Sequence, residues 1–161
     1  MRPVALCALV LATACGAQQR ANREGRFDLG EPGTGWRKVS AGGADQAWAH
    51  AGMSATIYAD SNCGERYDDS ELAALAQHLT FGVARGEPLR TEPLQLDGRD
   101  ALVVVVRGQL DGVGVQVGAM VTKKNACLYD VLYLAPPSRF DQGWPDFMRV
   151  VQGFETKRSD R

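Results

Sequence analysis

The sequence predicts an α+β domain in which an antiparallel β meander is flanked by helices on both sides. Three observations carry that prediction. Residues 101–134 hold three strand-like runs joined by turn signals. The first of these, Ala101 to Val106, is apolar at every position, as expected of a strand covered on both faces. Stripes of helical period then lie on either side of the meander, at Leu72, Leu75, Ala76, Leu79 and Val83, and at Trp144, Phe147, Met148 and Val151.

The chain opens with Arg2 and an uncharged apolar run from Val4 to Ala14. This suits a signal peptide and falls short of the roughly 20 apolar residues that span a bilayer. Leu11-Ala12-Thr13-Ala14-Cys15 resembles the lipobox of bacterial lipoproteins, with Ala12 where that family usually carries Leu, Val or Ile. The resemblance implies cleavage before Cys15, acylation of Cys15 and a membrane anchor. Several acyl chains, at about 0.8 kcal/mol per buried methylene, hold where one would not. Gly16 stands where an Asp retains such proteins in the inner membrane, which implies the outer membrane, facing the periplasm. The other reading is an ordinary secretory peptide cleaved nearby. Residues 1–14 are therefore read as signal peptide, 15–25 as a polar lipidated tether, 26–155 as one domain and 156–161 as a charged tail.

Formal net charge is −1, and loss of Arg2 with the leader makes it one unit more negative. No basic stripe remains, which argues against nucleic acid as a partner. Of the four cysteines, Cys7 leaves with the leader and Cys15 takes the lipid. A Cys63–Cys127 disulfide is the economical reading of the remaining two in an oxidising compartment. It closes a loop of about 65 residues, for which chain entropy gives roughly 4 kcal/mol. The alternatives are two buried thiols, or a redox pair, which usually takes the C-x-x-C form absent here.

Short strands are expected around 26–29 and 36–39, across the turn-rich 30–35, and then at 46–50 and 54–59, joined by Ala51-Gly52-Met53. Asp68 as N-cap with Glu71 three residues on has the form of a capping box for a helix over 69–83, stopped by Gly86 and Pro88. Leu94 and Leu96 precede the turn Asp97-Gly98, Asp111-Gly112 marks a hairpin, and Lys123-Lys124-Asn125 turns the chain again. A last helix is expected from Asp141 or Trp144 to Gln152, with Pro145 in its first turn and Gly153 at C′.

Three stretches resemble the PsbP-like α/β/α sandwich shared by photosystem II extrinsic subunits, a Ran-binding import factor and many bacterial lipoproteins. They are the helix Asp69–Val83, the run Leu96-Asp97-Gly98-Arg99-Asp100-Ala101, and the series Tyr129, Tyr133, Phe140, Phe147, Val151, Gly153-Phe154. The resemblance covers about residues 26–155 and implies a largely non-enzymatic accessory or assembly role, with no catalytic residues to carry over.

The residues themselves assemble no catalytic set. His50 and His78 are not spaced as metal ligands and read as surface or boundary positions. Asp60, Glu65, Asp68 and Asp69 lack the EF-hand pattern, so no metal is expected. Gly112-Val113-Gly114-Val115-Gln116-Val117-Gly118 lies on a strand, which suits a glycine face packed against something bulky, not a phosphate loop. Gly52-Met53-Ser54-Ala55-Thr56 lacks the last glycine of a nucleophile elbow. Trp36, Trp48 and Trp144 fit core positions, or the lining of a cavity for a small apolar ligand. The expectation is a lipid-anchored, non-enzymatic envelope protein without cofactor, acting through an unidentified envelope protein partner. The alternative is a carrier of a small apolar ligand.

Overall fold

Three two-residue turns organise the C-terminal half of the chain. Asp97-Gly98 (φ 48° and 71°), Asp111-Gly112 (50° and 80°) and Asn125-Ala126 (54° and 57°) all place both central residues in the left-handed region. That is the backbone that follows the right-handed twist of paired strands. The computed structural model that contains them describes residues 27–63, 69–83 and 86–157. Cys15, the leader and the tether lie outside the described residues.

In chain order the elements are β1 (Phe27–Asp28), β2 (Arg37–Lys38), β3 (Gln46–His50), β4 (Ala55–Cys63), α1 (Leu72–Thr80), β5 (Arg90–Leu96), β6 (Arg99–Leu110), β7 (Val113–Lys124), β8 (Cys127–Ala135), α2 (Phe140–Gln152) and β9 (Glu155–Thr156). Seven strands form one sheet in the order β2-β3-β4-β8-β7-β6-β5, while β1 pairs only with β9. Every neighbour is antiparallel. The edges are blunted: β2 has two residues, and β5 carries Arg90, Glu92 and Pro93.

The valine run of β6 is buried on both sides. Val103 and Val105 join a core with Phe147, Val150 and Val151 of α2, whereas Val104 and Val106 join a second core with Leu75 and Ala76 of α1. Adjacent residues of a strand point to opposite faces, so each helix covers a different face. The cover is unequal. α1 packs across β6 and β7, and α2 lies against β8 and β4.

α1 is shorter than the periodicity predicts. Asp68 lies outside the described residues, and Glu71 is the N-cap, extended (φ −69°, ψ 145°) and without a side-chain cap bond. Lys123 Nζ donates to Ser70 O at 2.6 Å, so the preceding segment finds its partner across the sheet instead of in a helical turn. At the other end Thr80 Oγ1 bonds back to Ala76 O at 3.0 Å, and Val83 N closes a tight turn onto Thr80 O.

α2 begins at Phe140, which moves Pro145 from the expected first turn into the second. Proline has no N–H for the carbonyl four residues back, so Asp141 O lacks a helical donor. Gly153 caps the helix at φ −85°, not in the left-handed conformation expected of C′. Its lack of a side chain serves proximity instead: a Cβ there would run into Gly30. The last turn is shifted as well. Lys123 and Lys124 remain in β7, with Lys124 opposite Cys127, so the chain reverses at Asn125-Ala126.

The chain around β1 and β9 is pinned to the domain. Gly30 N donates to Val150 O at 3.1 Å, and Trp36 Nε1 donates to Asp146 at 2.9 Å. Thr156, assigned to a charged tail by sequence, pairs with Phe27 and bonds Asp97 through both its amide and its hydroxyl. Lys157 meets Asp28 at 2.9 Å. The folded unit thus reaches two residues beyond the expected boundary.

Candidate functional site

The uneven cover of the sheet leaves a cleft. On the α1 face, β6 and β7 lie under the helix, but β4 and β8 do not. Their outward residues, Tyr58, Asp60 and Asn62 opposite Leu132, Asp130 and Leu128, form the floor. Leu75, His78 and Leu79 of α1 make one wall, and residues 41–44 between β2 and β3 make the other. The cavity measures about 810 Å³, within the usual range for small-molecule sites.

Asp130 is the chemically unusual residue of that floor. It is only 8% exposed, and no side-chain hydrogen bond or ion pair holds it among the described residues. Burial, then the negative charges of Asp60 and Asp45, push its carboxyl up to about 7. Asp45 is anchored, accepting from Ser61 N at 2.9 Å and Ser61 Oγ at 2.6 Å. Asp60 accepts from Ser61 N at 2.9 Å. Burial and the Asp130 charge also raise the Tyr58 hydroxyl.

A second polar hollow is closed by its own pairs. Asp97 meets Lys124 Nζ at 2.6 Å and accepts from Thr156, and these partners hold its carboxyl down at about 2. This network ties the β5–β6 and β7–β8 turns to β9.

The residues singled out by sequence are dispersed. Cys63 and Cys127 are cross-strand partners at the ends of β4 and β8, joined with an S–S distance of 2.01 Å. His50 accepts from Met53 N through Nδ1 at 3.2 Å and stacks edge-on with Trp36, a turn-holding role. His78 is exposed on the cleft rim. Glu65 and Asp68 lie outside the described residues, and among those described no group of three acidic, histidine or cysteine side chains converges as a metal site.

The tryptophans do not line the cleft. Trp48 is buried and donates to Glu31 at 3.2 Å, Trp36 binds Asp146, and Trp144 lies over Gly118 beneath Arg90. The glycine face of β7 packs as expected at Gly118, where a Cβ would meet Trp144 at 2.8 Å, but Gly114 faces open space. Sequence reasoning missed Asp130. Its one visible signal was an acid sharing a strand face with two leucines in the otherwise apolar Leu128-Tyr129-Asp130-Val131-Leu132.

The sheet order, the meander and the two helices define a PsbP-like fold. The solution structure of cyanobacterial PsbP (CyanoP) from Synechocystis is similar at a TM-score of 0.60 and 15% identity, over 82% of this chain and 87% of that one. LpqN of Mycobacterium tuberculosis, involved in cell envelope biogenesis, is similar at a TM-score of 0.59 and 13% identity, over 82% and 83%. A Pseudomonas aeruginosa protein of unknown function follows at 0.53 and 13%, over 80% and 86%. No protein-family model and no curated protein sequence matches the chain.

Proposed function

We propose that this chain is an exported, lipid-anchored protein of the cell envelope, acting as a non-catalytic accessory or assembly factor by protein contact. The observation that carries the reading is the Cys63–Cys127 pair, because a structural disulfide belongs to an oxidising compartment. The leader 1–14, ending just before Cys15, supplies a route to that compartment, and Gly16 favours the outer membrane, facing the periplasm. The likeness to LpqN, whose role is in envelope biogenesis, supports the same address.

Intact mass of the protein taken from membranes, with thiol alkylation before and after reduction, tests the proposal. A chain starting at acylated Cys15 that alkylates only after reduction is expected. An unlipidated chain, or freely alkylated Cys63 and Cys127, overturns it.

A second reading, ligand binding, is favoured by the cleft. Leu75, Leu79, Leu128 and Leu132 offer apolar surface, but the Asp130 carboxyl, without a side-chain partner among the described residues, does not suit a wholly apolar ligand.

A further inference from the structure

We propose that the cleft between α1 and residues 41–44 binds a small organic cation, an ammonium group on an apolar stem, with Asp130 as its anion. The inference rests on the ligand-binding reading above and gives that ligand a charge.

Three observations converge on it. Asp130 is more than nine-tenths buried, lines the cavity, and has no hydrogen-bond or ion-pair partner among the described residues. No fully buried side-chain oxygen among the described residues lacks a partner, so the unbonded Asp130 carboxyl meets the cleft, where an arriving N⁺–H group makes a charge-assisted bond. Asp60 directly across the ladder and Asp45 nearby give the floor a negative potential, and His78 on the rim is the only basic side chain lining the cavity among the described residues. Leu75, Leu79, Leu128 and Leu132 surround the acid with apolar surface suited to the stem. A volume of about 810 Å³ accommodates a whole small molecule, more than one inserted side chain requires. The apolar surface beside the acid suits an organic cation with a hydrocarbon stem.

Binding requires the carboxylate form of Asp130. It therefore strengthens as pH rises through about 7. The charged and titratable groups facing Asp130 are Asp60 and Tyr58 from β4, Asp45 ahead of β3, and His78 from α1. The contribution of Asp130 is read as the difference between the wild type and Asp130→Asn.

The test uses the full chain with Cys15→Ser, so that no lipid interferes, labelled with ¹⁵N and titrated with n-hexylammonium, n-hexanol and hexanoate. Amide shifts at 128–132 and 75–79 report the cleft, and the dispersion of the whole spectrum reports folding. The expected result is that hexylammonium shifts these amides, that hexanoate does not, and that Asp130→Asn weakens the ammonium roughly tenfold or more while leaving hexanol unchanged. In the wild type, ammonium affinity should fall between pH 8 and pH 6, more steeply than in Asp130→Asn. Hexanol shifting the cleft as strongly as the ammonium, with both indifferent to Asp130→Asn, overturns the cationic site and leaves an apolar one. No shift by any of the three overturns the ligand-binding reading as well.

Discussion

Asp130 lies directly across the β4–β8 ladder from Asp60, so two carboxylates occupy one cross-strand pair on the uncovered half of the sheet. Like charges in that position destabilise a sheet. Burial first, and then the charges of Asp60 and Asp45, raise the Asp130 carboxyl from 3.8 to about 7.

Stability should therefore fall as pH rises from about 4 to about 7. In that window the folded chain keeps the Asp130 proton that the unfolded chain has released, so folding takes up a proton. Asp130→Asn removes the charge and nearly preserves the shape. It is expected to stabilise by about 1–3 kcal/mol at pH 8 and to change little at pH 4. Urea unfolding at the two pH values checks this, and equal midpoints at pH 8 would refute the raised carboxyl.

Asp97 behaves in the opposite sense. Its carboxyl is held down at about 2 by Lys124 and Thr156, so its contribution is present above the unfolded value of 3.8 and disappears as pH falls toward 2. Asp97→Asn suits the left-handed turn (φ 48°), where asparagine is tolerated. It should speed hydrogen exchange at the Thr156 amide at neutral pH, and the difference from wild type should fade below the usual carboxylate range. Unchanged exchange would mean that β9 is held without this contact.

The helix α2 sits against the sheet through two glycines. A Cβ at Gly118 would enter Trp144, and one at Gly143 would enter the Tyr133 hydroxyl, which donates to Phe140 O at 2.9 Å. Gly118→Ala and Gly143→Ala should each destabilise by about 1–3 kcal/mol through overpacking. Gly114→Ala on the same strand as Gly118 meets nothing and should be neutral or slightly stabilising. Thermal denaturation of the three variants separates close packing from a general dislike of alanine in β7.

Replacing both Cys63 and Cys127 by alanine should lower stability by about 2–4 kcal/mol, because the bond restricts the unfolded chain across a separation of 64 residues. Reduction of the wild type should reproduce the loss. A double variant as stable as the oxidised protein would show that strand pairing alone sets the β4–β8 register.

Much of the architecture was legible in local pattern. The periods of α1 and α2 and the Asp-Gly turns need only neighbouring residues to be read, since backbone sterics and amphipathicity act locally. The doubly buried Val103–Val106 run even announced that both faces are covered. Helix ends were less legible. Ser70 O finds Lys123, far away in sequence, and Phe140 O finds the Tyr133 hydroxyl, so local capping rules missed the start of each helix.

By itself, then, the sequence determined most of the elements, the antiparallel meander and the pair of cysteines left for one another, because these follow from periodicity, turn chemistry and counting. The tertiary structure alone decided which acids meet. Asp45, Asp60 and Asp130 come from separated segments and converge only because β8 returns beside β4. It also decided that α1 stops at β7, leaving the Asp130 floor open, since packing across strands determines which part of a face a short helix can cover.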